Sequence, residues 1–338
     1  MANSYPPKQM AASQSSRREF LAHLGTAAVV GAVGTLRPAP LLAAAAPTGA
    51  APTVLTILHT NDVHSRLDPF PMDGSRNAGR GGIARRMSLV QQIRAEAVAG
   101  KPRQVLLFDA GDMFQGTPYF NLYKGEPEIL AMNRLGYDAG TIGNHDFDGG
   151  IDSMREQLGK ADFPFLVANY DFKNTVMDGR TRPYRVFKRG GIRVGVFGLG
   201  IRPDGLIPAS LYKETTYLDP LEISADVARN LRTRERCDYV ICLSHLGYKY
   251  NDSTVSDVVL ASRSRDIDLI IGGHTHTFLD APVAVNNADE RPVFINQVGF
   301  GGINLGRIDL TFEAGKATGT TGKAITVTPS EKSSWKPG

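Results

Sequence analysis

Five apolar runs in this sequence end abruptly in short polar turns. The turns hold Asp62 and His64, then Asp112, then Asn144 with His145, then His245, then His274 with His276. Five of the chain's seven histidines lie in them. A short apolar run broken by Gly, Asn and Asp reads as a buried strand entering a turn. Between those runs the apolar positions Ile83, Met87, Val90, Ile93 and Val98 recur at helical spacing, which predicts a helix over 83–99 stopped by Gly100 and Pro102. Similar patterns predict helices over 126–135, 150–159, 221–236 and 253–263. Strands alternating with helices imply an α/β fold with helices packed outside sheet layers. In open sheets of this kind ligands bind beyond the carboxyl ends of the strands, so turns spread over more than 200 residues can meet at one site.

The predicted strands are 54–60, 105–108, 139–142, 165–168, 184–188, 192–199, 239–243, 267–271, 293–297 and 305–312. The late ones cluster, which suggests a second, more antiparallel sheet. From Gly315 the chain is small, polar and Lys-rich and predicts no element. No internal repeat breaks the pattern. One large domain over 47–329 is expected, with 330–338 a disordered tail.

Charge excludes some partners. The first 46 residues hold four of the 38 basic and one of the 34 acidic side chains, so the remainder is nearly balanced at 34 against 33. That leaves no footprint for a nucleic-acid polymer. Within those 46 residues, Arg17-Arg18-Glu19-Phe20-Leu21 precedes an apolar Gly- and Ala-rich run and a small-residue stretch, Leu42 to Ala46. The segment resembles a twin-arginine translocation signal, and its apolar run is too short and too interrupted to span a bilayer. The resemblance implies recognition by the twin-arginine machinery, export in the folded state to the periplasm or beyond, and no stable membrane anchor after signal removal. Cys237 and Cys242 flank one predicted strand on opposite faces, poor geometry for a disulfide, so both read as small buried residues.

The turn residues suit metal chemistry. Asp62-x-His64 and His274-x-His276 place two ligands at i and i+2, on one side of an extended segment. Carboxylates mixed with imidazoles favour Mn, Fe or Zn over Ca, and no thiolate is at hand for a structural zinc. Seven candidates, Asp62, His64, Asp112, Asn144, His245, His274 and His276, exceed one tetrahedral ion and match two ions sharing a carboxylate.

In this order, Asp62-x-His64, Gly111-Asp112, Gly143-Asn144-His145-Asp146, Ser244-His245 and Gly273-His274-x-His276 resemble the calcineurin-like metallophosphoesterase superfamily. His59 to Ser65, Gly81 to Arg86, Gln115-Gly116 and Asn144 to Asp148 point to its 5′-nucleotidase branch. The resemblance implies a four-layer sandwich, two mixed β-sheets flanked by α-helices, with two divalent metal ions at one edge. It gives Asp62, His64, Asp112 and His276 to one ion, and Asn144, His245 and His274 to the other, with Asp112 bridging. His145 would protonate the leaving oxygen, oriented by Asp148, and Asp146 would be structural. A bridging water made acidic by the two cations would attack the phosphoryl group of a small phosphorylated substrate. Members of that branch carry a C-terminal domain that holds the nucleoside base, and the sequence ends near where it would begin. Ester hydrolysis is therefore better supported than a nucleotide preference. Two alternatives are a sulfate-ester thiohydrolase on the same metal core, and a non-catalytic periplasmic module that binds metal or phosphate. Arg80, Arg85, Arg202 and Tyr248 lie in loops that could border the site.

Overall fold

The computed structural model describes residues 52–98 and 101–329. The expected export signal at 1–46 and tail at 330–338 lie outside them. Two sheets form the centre of the domain. One has five strands in the order Lys316–Thr326, Asn304–Glu313, Thr53–Thr60, Gln104–Asp109, Ala139–Gly140. The other has six: Val283–Asn286, Pro292–Asn296, Leu269–Gly272, Tyr239–Ser244, Ile192–Leu199, Tyr184–Arg189.

Alternation along the strands explains the layering. Leu55, Ile57, Leu106 and Phe108 from the first sheet share one core with Val194, Val196, Ile241, Leu243, Leu269 and Ile271 from the second. The intervening Leu58 and Leu107 face the other way, into a core with Ile93, Ile129, Met132, Ile151 and Met154 from helices Ile83–Ala95, Glu126–Leu135 and Ile151–Leu158. Behind the second sheet, helix Pro220–Thr233 turns Ile223, Val227 and Leu231 inward at i, i+4 and i+8. Its N-terminus is capped by Asp219, which accepts from the N–H groups of Leu221 and Glu222. The expected four-layer α/β sandwich is what forms.

Register brings the turns together. Thr60 pairs with Asp109 and Asp109 with Gly140 in parallel, so the turns after three strands leave the first sheet side by side. In the second sheet Ser244 lies level with Leu199 and Gly272, again in parallel. The two edges are tied: His59 Nε2 lies 2.8 Å from Asn296 Oδ1, and Asn61 bonds the backbone at Val298 and Gly299.

Several boundaries depart from the sequence reading. The first helix stops at Ala95, because Ala97–Val98 pairs with Lys101–Pro102 as a small hairpin. Residues 165–168 contribute only isolated bridges, to Gly140 and Arg182. The second sheet is parallel at its centre, and the last two strands extend the first sheet instead. Lys316–Thr326, where the small, polar and Lys-rich sequence predicts no element, forms a strand. Its polar residues suit an exposed edge, where one side of the ladder faces water. Both cysteines are free and buried.

Candidate functional site

All five turns converge at this edge. Asp62, His64 and His276 offer ligand atoms within 4.8 Å of one another, and so do Asp112, His245 and His274. Asn144 joins the second group, with Oδ1 2.8 Å from His274 Nδ1. Asp112 Oδ2 stands between the groups, 3.1 Å from His245 Nε2 and 3.9 Å from His64 Nε2. The seven candidate ligands thus fall into two sets around one carboxylate.

The local backbone differs from the extended segments expected for the two i, i+2 pairs. Asp62, His64, Asp112, His274 and His276 all have φ between 49° and 73°. A left-handed conformation costs a non-glycine residue on the order of 1–2 kcal/mol, so strain is concentrated where ligand direction matters. With this backbone His274 and His276 diverge into different sets and do not chelate as a pair. Nothing in the spacing alone signals that strain.

Donor chemistry shows that the residues fit cations. His245 is wholly buried, and its Nδ1 donates to the Ala110 carbonyl at 2.7 Å. In the neutral ring that leaves Nε2 as the lone-pair nitrogen, buried and with no aligned hydrogen-bond partner. His64 Nε2 and His276 Nε2 face each other at 2.9 Å, where two lone pairs repel unless a proton or cation lies between them. Burial disfavours charge on His245, but the Asp112 and Asp62 carboxylates outweigh it and push its pKa up to about 10. Burial, then the charge of His245, pushes His274 down to about 4. Positive charge is in demand here.

The Asn144–Asp148 turn divides its acids. Asp146 is buried and accepts four backbone N–H bonds, from Asp112, Met113, Phe114 and Gly143, at 2.8 to 3.1 Å. It clamps the Asp112 loop to the Asn144 loop. Asp148 instead accepts from His145 Nδ1 at 2.8 Å. His145 is 39% exposed, its ring 5.3 Å from that of His64, and its own N–H donates to Asp112 Oδ1 at 2.8 Å.

Of the basic and aromatic residues expected near the site, Arg85 is turned to the carbonyls of Gly79 and Gly81. Arg202 packs over the Tyr217 ring, 4.6 Å from its centroid. The Tyr248 N–H bonds Thr275, and Arg80 is exposed. Sequence reasoning missed Asn61. It sits beside Asp62 in the motif, but only the folded chain reveals the loop it holds.

Two three-residue groups, Asp62 with His64 and His276, and Asp112 with His245 and His274, lie at the edge of a two-sheet sandwich, and each could hold a metal ion. The chain belongs to the calcineurin-like phosphoesterase family, whose model matches residues 55–278, and members of that family are metal-dependent hydrolases. It is 34% identical over 294 residues to the snake venom 5′-nucleotidase of Naja atra, covering 80% of this chain and 53% of the relative. It is 35% identical over 295 residues to the human 5′-nucleotidase, covering 80% and 49%. Among solved structures, a 5′-nucleotidase precursor from Thermus thermophilus superposes with a TM-score of 0.72 at 34% identity, over 82% of this chain and 55% of the other. The chain spans about half the length of these relatives. Among the described residues, no helix is long and apolar enough to cross a membrane.

Proposed function

We propose that this chain hydrolyses esters of phosphate, with Asp62, His64 and His276 holding one divalent cation, Asn144, His245 and His274 a second, and Asp112 contacting both. The observation that carries this is the position of Asp112 Oδ2, within 3.9 Å of a histidine from each set. Such a pair of cations supplies the charge that polarises phosphoryl oxygens and acidifies the attacking water. The protein's own part begins with strand register, which fixes the ligands before substrate arrives. Asp146 holds the two loops at a constant spacing through its four backbone donors. Asp148 accepts a hydrogen bond from His145 Nδ1–H, which leaves Nε2 as the acid that protonates the departing alkoxide. Mere retention of metal has no use for that pair. The likeness to 5′-nucleotidases makes nucleoside monophosphates natural candidate substrates, within a broader class of small phosphorylated molecules.

The test is metal stoichiometry on purified residues 47–338, followed by a panel of nucleotides, sugar phosphates and aryl phosphates scored for phosphate release. Release of sulfate from thiosulfate esters without phosphate release would favour the thiohydrolase alternative. Two bound metals without turnover of any ester would favour a binding module.

We further propose export through the twin-arginine machinery to the periplasm or beyond, supported by the Arg17-Arg18 segment. Replacing both arginines by lysine should retain the protein in the cytoplasm. Normal export of that variant would overturn the proposal.

A further inference from the structure

One wall of the site is aromatic, and its construction is tied to the metal ligands. The ring of Phe300 stacks on His276, centroids 5.1 Å apart and planes 21° from parallel. Phe278 and Phe70 meet Phe300 edge-on, at 6.0 and 6.1 Å. Phe278 is 43% exposed, an open apolar ring one ring removed from His276.

The loop that carries Phe300 is built for this. Gly299 and Gly301 flank it with φ of 83° and 62°. A side chain on Gly299 would overlap the Phe278 ring, and one on Gly301 would come within 2.8 Å of the Phe70 ring, so glycine is what lets both rings lie on the backbone. The loop is then fastened to the metal-binding turn. Asn61 donates to the Gly299 carbonyl at 2.6 Å and accepts from the Val298 N–H at 3.0 Å, while the Gly301 N–H donates to the carbonyl of Asp62 at 2.7 Å. Phe278 is joined on its other side, through a backbone bridge to Val298 and a bond from the Gly299 N–H to Thr277. These rings therefore hold a fixed position relative to Asp62 and His276. An apolar surface at a site of charged ligands does nothing for the phosphate and favours whatever flat, apolar group the phosphate carries.

We propose that Phe278, backed by Phe300, is a specificity-determining residue that packs against an aromatic or heteroaromatic ring on the alcohol side of the substrate ester. This rests on the phosphate-ester reading above. The test compares 2-phenylethyl phosphate with ethyl phosphate on the metal-loaded protein, since the two leaving alkoxides are of similar basicity and differ in the ring. The protein should favour the phenyl ester in kcat/KM by about threefold to tenfold, the size of an aromatic pair contact. Phe278→Ala should bring that ratio close to one while ethyl phosphate turnover stays within about twofold, and Phe278→Trp should restore the preference. Phe278→Leu, which keeps apolar bulk without a flat face, should fall between them. Equal hydrolysis of both esters by the unaltered protein, or a preference that survives in Phe278→Ala, would overturn this proposal alone. Hydrolysis of neither ester by protein holding two metals would overturn the phosphate-ester reading and this proposal with it.

Discussion

His145 Nδ1 lies 2.8 Å from an oxygen of Asp148, whereas Asp146, nearer in sequence, turns its carboxylate onto backbone N–H groups. The partner of a catalytic imidazole fixes both its tautomer and its direction. His145→Asn should keep two ions bound and lower kcat by about two to four decades, the usual worth of a positioned acid. Asp148→Asn should reproduce that defect in part, about tenfold to a hundredfold. Metal analysis beside steady-state kinetics checks both, and unchanged turnover in His145→Asn would remove it from the mechanism.

Asp146→Asn should behave differently. Each Asp146 oxygen receives two N–H donors, Oδ1 from Met113 and Phe114 and Oδ2 from Asp112 and Gly143. An asparagine amide must turn its NH2 toward one of those pairs, which leaves buried donors facing a donor. Losing two bonds in a buried setting costs about 2–4 kcal/mol. Urea unfolding should show that loss, with catalysis failing through the displaced Asp112 loop. A variant as stable as the parent that copies the His145 defect would exchange the roles of the two acids.

How far the sequence alone could have led is visible in particular residues. The strand ends that carry Asp62, Asp112, Asn144, His245 and His274 are legible because a buried parallel strand must be apolar throughout and must stop where it meets polar loops. Lys316–Thr326 was illegible because an edge strand has one neighbour and no need of apolar residues. Left-handed backbone at the ligands leaves no trace in residue type, since Asp and His replace the glycine that usually marks it. Asn61 and the loop it fastens lie 237 residues apart in the chain, a distance no local pattern bridges.

The pH profile should report on the same pair. The bond to Asp148 raises the His145 pKa above 6.5 despite the opposing effect of burial, and Asp112 adds to the rise. An acid must be protonated to act, so kcat should fall as pH rises through the folded-state value. The linked stability has the same sign: it is fully present below about pH 6.5 and is lost above the folded value. Asp148→Asn removes the largest raising influence and should move the alkaline limb of kcat to lower pH. An unmoved limb would assign that titration to another group.

Stripping the ions should cost stability as well as activity. Each site contributes about 2.7 kcal/mol when metal is present at a hundred times its Kd. Domains of about 150–250 residues shift by about 2–4 °C per kcal/mol and larger ones by less, so chelation should lower Tm by about 4–5 °C per ion. Calorimetry before and after chelation and readdition of Mn measures this. Asp112→Asn should bind fewer than two ions and lose hydrolysis, because Asp112 Oδ2 faces His245 and His64 together.

Gly143 sets the closest approach in the site. A methyl there would overlap Asp112 Oδ1, lie 2.6 Å from the Asp112 nitrogen and reach within 2.6 Å of His245 Cε1. Asp112 and His245 belong to the same candidate metal-binding set, and Asp112 also faces His64 in the other. Neither can retreat easily, since the Asp112 backbone is clamped by Asp146 and the His245 ring by Ala110. Gly143→Ala should therefore act on the metal centre more than on the core. Overpacking of this kind costs about 1–3 kcal/mol in general, but here the displaced atoms are those of the candidate ligands themselves. The expected result is loss of at least one ion and a fall in kcat of about a hundredfold or more, with the metal-free variant losing only a few degrees in Tm. Full metal occupancy and normal turnover in Gly143→Ala would mean that the two loops can separate, and that their spacing is not what holds Asp112 between the two sets.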